Sequence, residues 1–380
     1  MDTGPMRLGS AGFMRQTFLW GFLPIVALFL TAPSVGDAEV ATNITSSGLG
    51  TVVPPQPPSD GVYNITGGTR PGIDGPNLFH SFGDFSVGPG DIANFLNNTG
   101  LPTSNILGRV TGLGLEHTSY IYGTIRTTGF DVGGVQANLF LMNPNGIVFG
   151  PHGSIDVSGS VSFTTAQYLR LFDSLNGASA NFYSNPAGDG LANSVFAMAP
   201  VVDFGFLSPA AYGFLTSPDP SATITVQGST LSVPPGLPDS PGHSISLVGG
   251  KVVIQGDTLP DGTVQQSAHL SAPKGTIQLA SPASPGEFDV ATLQPLPNVD
   301  GASFTSFGSV SLAPGSSINV SGASTVFVKG GQLVLSVNDA TLNTSGSTAP
   351  QNTISLGPGS TIFTSNSGTD SSAPDLQLTA

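Results

Sequence analysis

Short segments of similar sequence recur in the carboxy-terminal part of this 380-residue chain. Gly308–Ile318 (GSVSLAPGSSI) matches Asn352–Ile362 (NTISLGPGSTI) at an offset of 44 residues, and a further strand-turn-strand unit, Val326–Ser336, lies between them. This spacing corresponds to about 22 residues per unit, a length typical of solenoid repeats. One such unit cannot bury its own apolar face, so neighbouring units must stack to form a core. The recurrence favours a wound stack over an ordinary globular domain.

Earlier segments extend this similarity. The further matches are Ser246–Gly256 (SLVGGKVVIQG) with Val326–Ser336 (VFVKGGQLVLS), and Gly153–Gly159 (GSIDVSG) with Ser316–Gly322 (SSINVSG). Apolar and polar residues alternate in these segments, so that Val310 and Leu312 fall on one face of a strand. Short alternating strands joined by Gly, Asn or Pro turns predict an all-β parallel solenoid. An array of β-sandwiches is the alternative.

The composition agrees with strands rather than helices. The chain has 51 Gly and 32 Pro but only six residues that are Lys or Glu, two of the stronger helix formers. It contains no Cys, so disulfide bonds cannot stabilise it. The formal net charge is −14, and nine Lys plus Arg residues cannot supply the basic surface that nucleic acid requires. We therefore predict no nucleic-acid partner.

The first residues have the pattern of an export signal. Arg7 and Arg15 precede an apolar run from Phe18 to Leu30, which is shorter than the roughly 20 residues of a membrane span. Small residues follow, and Ala38 occupies the last position before a cleavage site. We predict that residues 1–38 form a secretory signal peptide that is removed after Ala38. An N-terminal membrane anchor is the alternative.

The segment Ala137–Ala166 contains the densest set of strand and turn signals. Leu139–Met142 and Ile147–Phe149 are predicted as two buried strands. Between them, Asn143–Gly146 has the residues of a type I turn, with Asn accepting locally, Pro presetting φ and Gly at the last position. Chemistry alone favours a structural turn here.

The same segment resembles a motif of a known family. NPNGI between two apolar strands is similar to the amino-terminal secretion domain of two-partner secretion exoproteins, the filamentous-haemagglutinin-like family, also called the haemagglutination activity domain. Further segments occur in the family's order: Asn77–Val87, Ala93–Asn98, Asn105–Gly112, Phe163–Ala166, Ile224–Gly228, Ser246–Gly256 and Leu270–Ser281. NPNGI alone is a weak signal, but the ordered set is specific. The resemblance covers residues 41–290.

This resemblance implies a fold and a route of export. Members fold as an all-β, right-handed parallel β-helix with an N-terminal cap and extrahelical β-hairpins. They cross the inner membrane with a cleaved signal peptide, and a dedicated outer-membrane β-barrel transporter with periplasmic POTRA domains then recognises the secretion domain. The implied divisions are a signal peptide at 1–38, the secretion domain at 39–290 and the first coils of a β-helical passenger at 291–380.

The resemblance also implies a secretion motif, a location and a role. The motif would comprise Asn143, Pro144, Asn145, Gly146 and Ile147. The product is expected to be secreted, or held at the surface of a Gram-negative-type bacterium, as a monomeric adhesin with host or environmental surface glycans as its ligands. We further predict that the Pro-containing corner forms part of a seal at the amino end of the stack.

Two other functions stay open at this stage. Parallel β-helices also occur in carbohydrate-active enzymes of the polysaccharide-lyase type, whose sites need clustered carboxylates and a basic residue. Asp239, Asp261 and Asp300 instead stand singly beside Gly or Pro, as turn residues do. We therefore predict no catalytic, cofactor or metal site. A structural surface repeat protein without a transporter is the second alternative.

The remaining conspicuous side chains are expected to be structural. His80 and His117 are predicted as hydrogen-bonded structural histidines, and residues 167–222 as a loop or extrahelical hairpin because they fit the coils poorly. Core or end-cap packing is predicted for Phe79, Phe82, Phe85 and Phe95.

Overall fold

The computed structural model describes residues 40–55, 58–71, 75–173, 177–185, 208–235, 242–313, 315–319 and 325–330, together with strands at 332–336, 341–343, 354–356, 361–365 and 378–379. Residues 39–380 belong to one compact unit. The predicted signal peptide and its cleavage position at Ala38 lie outside the described residues.

Three long sheets contain most of the described strands, which are numbered in chain order. Sheet A has ten strands: β1 (Asn43–Ser46), β4 (Asn77–Ser86), β6 (Asn105–Val110), β9 (Asn138–Met142), β12 (Val161–Thr164), β18 (Ser244–Val248), β23 (Thr276–Ala280), β28 (Thr325–Lys329), β31 (Ile354–Leu356) and β33 (Leu378–Thr379). Sheet B has seven: β7 (Ser119–Ile121), β10 (Ile147–Phe149), β16 (Thr223–Gln227), β19 (Lys251–Gln255), β26 (Ser309–Leu312), β29 (Gln332–Ser336) and β32 (Thr361–Ser365). Sheet C has nine: β2 (Thr51–Val52), β3 (Val62–Gly67), β5 (Ile92–Leu96), β8 (Thr124–Thr128), β11 (Ser154–Asp156), β17 (Thr230–Ser232), β22 (Ala268–Ser271), β27 (Ser316–Asn319) and β30 (Thr341–Asn343).

Two smaller antiparallel sheets complete the strands. Sheet D has five: β13 (Tyr168–Phe172), β14 (Ser179–Tyr183), β15 (Ser208–Phe214), β24 (Gly286–Asp289) and β25 (Pro295–Leu296). β20 (Asp257–Thr258) and β21 (Val264–Gln266) form a two-stranded ribbon. Within the described part of the chain the helical structure is a single 3₁₀ turn, η1 (Leu115–His117).

The chain passes from sheet A to sheet B to sheet C and returns to sheet A one level further on. In the coil formed by β9, β10 and β11, β9 pairs in parallel with β6 and β12, β10 with β7 and β16, and β11 with β8 and β17. The register keeps apolar residues above one another, as with Leu139, Val161 and Ile245. This winding is a parallel β-helix. It confirms the predicted fold class and excludes the array of sandwiches.

A continuous apolar core fills the coils. Successive strand side chains point alternately inward and outward, so β10 buries Ile147 and Phe149. Val310 and Leu312 of β26 are buried in the same way, as the sequence predicts. Phe149 meets Phe163 edge to face, with ring centroids 4.7 Å apart. Stacking of coils therefore completes the backbone ladders and the core together.

The sequence repeats identify strand-turn-strand units but not always equivalent ones. Both segments with a Gly-Gly pair run from sheet A to sheet B, so this match is structural. The match at an offset of 44 residues does not join structurally equivalent segments. Gly308–Ile318 runs from sheet B to sheet C, whereas Asn352–Ile362 runs from sheet A to sheet B. β26 instead stacks on β29, with Val310 beside Leu333. The two segments share a Pro-Gly pair between their strands although they connect different pairs of sheets, so the sequence likeness does not indicate equivalent positions.

Antiparallel strands close the amino-terminal edges of two sheets. β1 pairs antiparallel with β4 in sheet A, and β2 pairs antiparallel with β3 in sheet C. Beneath them, the buried rings of Phe82, Phe85 and Phe95 pack together, with centroids 5.0 to 6.1 Å apart. The predicted N-terminal cap is therefore present, with three of the predicted phenylalanines in its core.

His80 is enclosed in this cap. Its ring stacks on Phe82 at a centroid distance of 6.1 Å, and its Nδ1 lies 3.3 Å from Oγ1 of Thr51 in β2. Burial, reinforced by the positive charge of Arg70, lowers the pKa of His80 to about 3. The imidazole is thus neutral at pH 7, and its position is that of a structural histidine.

Two excursions leave the helix at the corner between sheets A and B. The first follows β12 and forms β13, β14 and β15; the second follows β23 and forms β24 and β25. These strands build sheet D, which packs on the outer face of sheet A through an apolar cluster that includes Phe140, Phe182 and Tyr212. The segment 167–222 therefore contains an extrahelical hairpin, as predicted, while its residues 174–176 and 186–207 lie outside the described residues.

Charged side chains fasten sheet D internally and to the helix. Glu287 of β24 accepts a hydrogen bond from Tyr168 Oη at 2.6 Å and pairs with Arg170 Nη2 at 2.7 Å. Burial, together with this bond to Glu287, raises the pKa of Tyr168. Arg109 of β6 donates to the carbonyl of Tyr183 at 2.8 Å, and burial lowers its pKa to about 10. The hairpin is therefore anchored rather than loosely attached.

Candidate functional site

The predicted turn lies at the corner where β9 of sheet A passes into β10 of sheet B. Both predicted strands are present, at Asn138–Met142 and Ile147–Phe149. Gly146 N donates to Asn143 O at 3.1 Å, which is the bond between the first and fourth residues that a type I turn makes. We refer to residues 143–146 as the NPNG corner.

Asn143 is the centre of the corner, and its side chain is fully buried. Its Nδ2 donates to the carbonyl of His117 and to Oγ of Ser119, both at 2.9 Å. Its Oδ1 accepts from N and Nδ2 of Asn145, both at 3.0 Å. The amide thus satisfies its two donors and its acceptor inside the protein, which only Asn can do at this position and length.

Gly146 and Ile147 fit the corner into the stack. Gly146 has φ +112°, a value that residues with a Cβ rarely adopt, and a Cβ here would lie 3.1 Å from the carbonyl oxygen of Thr223 in the next coil. Ile147 is buried and lies between Ser119 and Ile224 in sheet B. Both residues therefore serve the close approach of neighbouring coils.

Asn145 joins the NPNG corner to the equivalent corner of the preceding coil, residues 111–118, which contains η1. Its Nδ2 donates to Gly112 O at 2.7 Å, and its Oδ1 accepts from Gly114 N at 3.1 Å. Thr118 Oγ1 donates to the carbonyl of Asn145 at 2.9 Å. The two corners are consequently held together by side chains as well as by the sheets.

The 111–118 corner is linked in turn to the cap. His117 Nδ1 lies 2.6 Å from Asp84 Oδ1, and Asp84 N in turn donates to Thr45 Oγ1 at 2.9 Å. Thr111 Oγ1 donates to Ser47 Oγ, also at 2.9 Å. The prediction that the NPNG corner is itself part of the seal is therefore wrong. Antiparallel β1 and β2 form the seal, and in sheet A the strands β4 and β6 lie between β1 and β9, the strand that precedes the NPNG corner.

Residues 41–294 of this β-helical chain match the family described as the TPS secretion domain, where TPS stands for two-partner secretion. The chain belongs to the TPS secretion domain family. This confirms the resemblance that the ordered motifs indicate. No curated protein gives a significant match.

Two solved structures are similar to this TPS secretion domain. A crystal structure of the filamentous hemagglutinin secretion domain is 16% identical, covers 85% of this chain and 99% of its own, and has a TM-score of 0.35. The crystal structure of the HMW1 secretion domain from Haemophilus influenzae is 12% identical, covers 85% of this chain and 97% of its own, and has a TM-score of 0.25.

TPS secretion domains belong to proteins that are secreted across the outer membrane of Gram-negative bacteria, and the family is one of export rather than of catalysis. In the part of the chain that the structure describes, no three His, Asp or Glu side chains approach one another closely enough to hold a metal ion. Over the same residues, no helix is long and apolar enough to cross a membrane.

The sequence does not reveal several residues of this site. Ser119 and the carbonyl of His117 complete the bonds of Asn143, yet neither lies in a repeat or in the segments that resemble the family. Gly112 ends such a segment, but its contact with Asn145 depends on stacking between coils. These contacts join neighbouring coils through residues that are 24 to 33 positions apart in sequence, so local sequence patterns do not predict them.

Proposed function

We propose that this chain is an exoprotein whose residues 39–290 are recognised in the periplasm by a dedicated outer-membrane β-barrel transporter with POTRA domains. The family match over residues 41–294 carries this proposal. The proposed divisions are a signal peptide at 1–38 and a passenger that begins at 291. That boundary lies between β24 and β25 of sheet D, so the last part of the excursion would fold with the passenger.

We propose that the secretion motif acts by holding the NPNG corner and the 111–118 corner in fixed positions relative to each other. Asn143, Gly146 and Ile147 are buried, and Pro144 and Asn145 are only partly exposed. A partner that contacts this region would meet the 111–118 corner as readily as the motif itself. Failure of the turn would therefore impair recognition by displacing that neighbour.

Strand addition is the proposed mode of docking. β1 is the outermost strand of sheet A, and three of its four residues are exposed. An edge of this kind can hydrogen-bond to a strand of a POTRA domain, so that backbone bonds supply much of the affinity.

Direct binding tests the proposed function. The chain from residue 39 to residue 380 would be titrated onto the immobilised POTRA-containing periplasmic segment of its cognate transporter, in the folded state and after unfolding in urea. We expect saturable binding, and we expect the transporter to export the chain in cells only when residues 41–294 are present. Absence of binding in both states, or export without those residues, would refute the proposal.

An adhesive role is proposed for the exported product, as a monomer at the bacterial surface. A groove with a volume of about 470 Å³ lies between the outer face of sheet A and sheet D. Its lining includes Asn105, Asn138, Ser160, Ser244 and Thr276, and no charged side chain contributes to it. Hydroxyl and amide groups over an uncharged surface suit a neutral surface glycan.

Titration with neutral tri- and tetrasaccharides, followed by calorimetry, tests the glycan proposal. We expect binding by the wild type and its loss in Ser244→Phe, which fills the groove from a half-buried position on β18. Lys251→Ala, a substitution of an exposed residue of sheet B outside the groove lining, serves as the control. No binding by the wild type, or equal binding by Ser244→Phe, would contradict this role.

A further inference from the structure

The polar side chains of the groove between sheets A and D form one straight column along the axis of the β-helix. They lie at or just before the start of successive sheet A strands, and the parallel register places each beside the next: Asn105, Asn138, Ser160, Ser244 and Thr276. Neighbouring strands of a sheet lie about 4.8 Å apart, so Asn105 and Thr276 are separated by about 19 Å. The groove therefore extends along the stack, across five levels.

Most of this column is open to a ligand. Asn138, Ser160, Ser244 and Thr276 are half-buried, whereas Asn105 is 7% exposed. Asn138 Nδ2 donates to Asn105 Oδ1 at 3.2 Å, which uses one of its two amide hydrogens. Ser160 Oγ accepts from Ser244 N at 2.9 Å and keeps its own hydrogen as a donor. The column thus presents a fixed amide or hydroxyl group at each of these levels.

Sheet D forms the opposite wall of the groove and differs from the column in chemistry. This side is mostly apolar, with Pro209, Val290 and Ala291 beside Ser208, and Phe140 of sheet A lies next to it. Because sheet D covers the rest of the outer face of sheet A, a ligand that lay across the strands would collide with it. A sugar unit has hydroxyl groups around its rim and C–H groups on its faces. A polar column opposite an apolar wall therefore suits a row of sugar units.

Two other kinds of polymer fit the groove poorly. A peptide would find no strand edge, because β12 already pairs with β9 on one side and with β18 on the other. An anionic polymer would find no cation, because no charged side chain lines the groove, and the net charge of −14 would repel it. A neutral polymer with hydrogen-bonding groups along its length is complementary.

We propose that the groove takes a linear, unbranched, neutral glycan that lies extended and parallel to the axis of the β-helix, with one sugar unit at each level. This inference rests on the adhesive role proposed above, because it specifies which glycans fit the groove. An extended β-1,4-linked chain advances per unit by a distance close to the spacing between levels, so about four units cover the column. An α-1,4-linked chain curves and would leave the column after its first units.

Calorimetry with residues 39–380 tests this inference. The ligands are β-1,4-linked oligosaccharides of glucose, mannose and N-acetylglucosamine, from one to six units long. We expect the Kd to fall with each added unit up to about four units and then to stay constant. Maltotetraose has the composition of cellotetraose but α-1,4 linkages, and we expect it to bind about tenfold more weakly, the loss of one or two hydrogen bonds.

Two substitutions at opposite ends of the groove separate a ligand along the stack from a ligand across it. Ser104→Ala removes a hydroxyl group at the amino-terminal end of the lining, and Thr276→Val removes one at the other end. Each is expected to raise the Kd of the tightest-binding tetrasaccharide about threefold to tenfold, as the loss of one hydrogen bond does. The Kd of the matching disaccharide should stay unchanged, because a short ligand can bind at the unaltered levels. Thr230→Val and Ser232→Ala make the same changes at exposed positions of β17 in sheet C and should have no effect.

The outcomes distinguish this inference from the proposed function. Absence of binding by the wild type to every oligosaccharide would refute the adhesive role and this inference together, whereas recognition by the transporter is decided by the titration of the POTRA-containing segment. Three results would overturn this inference alone: a Kd that does not depend on chain length, equal binding of maltotetraose and cellotetraose, or an effect on the tetrasaccharide from only one of the two end substitutions.

Discussion

Replacing Asn143 by alanine is expected to destabilise the domain by about 3 kcal/mol and to abolish export by the transporter. The substitution removes four hydrogen bonds made by a fully buried amide. It leaves the carbonyl of His117 and the N–H of Asn145 without these partners, and buried polar groups without partners cost about 1–3 kcal/mol each. Urea unfolding of residues 39–380 gives the change in stability, and the amount of chain in the culture medium gives export.

Pro144→Ala is the matched control for this result. The proline ring is only partly buried, and the turn keeps its backbone hydrogen bond without it. Loss of the φ value that proline presets is expected to lower the free energy of unfolding by less than about 1 kcal/mol and to leave export nearly normal. If Asn143→Ala were exported as efficiently as Pro144→Ala, the corner would be irrelevant to recognition.

Acid is expected to unfold the amino-terminal cap through His80. The pKa of His80 is about 3 in the folded state, below its ordinary value of 6.5, because of burial first and Arg70 second. Above pH 6.5 the imidazole is neutral in both states and carries no penalty. Below pH 6.5 the unfolded chain binds a proton that the folded cap excludes. Stability should therefore fall by up to about 1.4 kcal/mol per pH unit, or about 3 kcal/mol by pH 4.

Urea unfolding between pH 7.5 and pH 4 measures this effect. His80→Leu fills a similar volume without a titratable group, and Thr51 keeps its bond from the N–H of Ser81 at 3.0 Å. We expect the free energy of unfolding of His80→Leu to depend less on pH than that of the wild type over this range. Equal slopes for His80→Leu and the wild type would show that other groups cause the acid sensitivity.

The wound architecture could be predicted because it depends on local patterns. Alternation in segments such as Ser309–Leu312 defines which side chains face inward, and Asn143–Gly146 has the residues of a turn between two strands. The poor fit of residues 167–222 likewise located the hairpin outside the helix. These features follow from residues that are close in sequence.

Contacts between levels could not be predicted, because they depend on how the coils stack. The offset of 44 residues aligned a corner between sheets B and C with one between sheets A and B, since both segments carry a Pro-Gly pair between two apolar stretches. The bond from Asn143 to Ser119 and the burial of His80 against Thr51 join separate levels. For the same reason, local sequence patterns do not indicate that Leu113 and Leu115 stay exposed.

The reversed strands β1 and β2 make the stack polar. β1 and β2 occupy the positions at which a preceding parallel level would stack on β4 and β3, so the parallel repeat extends only from the opposite side. Each level on the open side pairs in parallel with the level before it, as β12 does with β9 and β18 does with β12, so the removal of a level requires breaking its backbone hydrogen bonds. A level that has formed is therefore kept in place by its neighbour, and the stack becomes harder to undo with each level that follows.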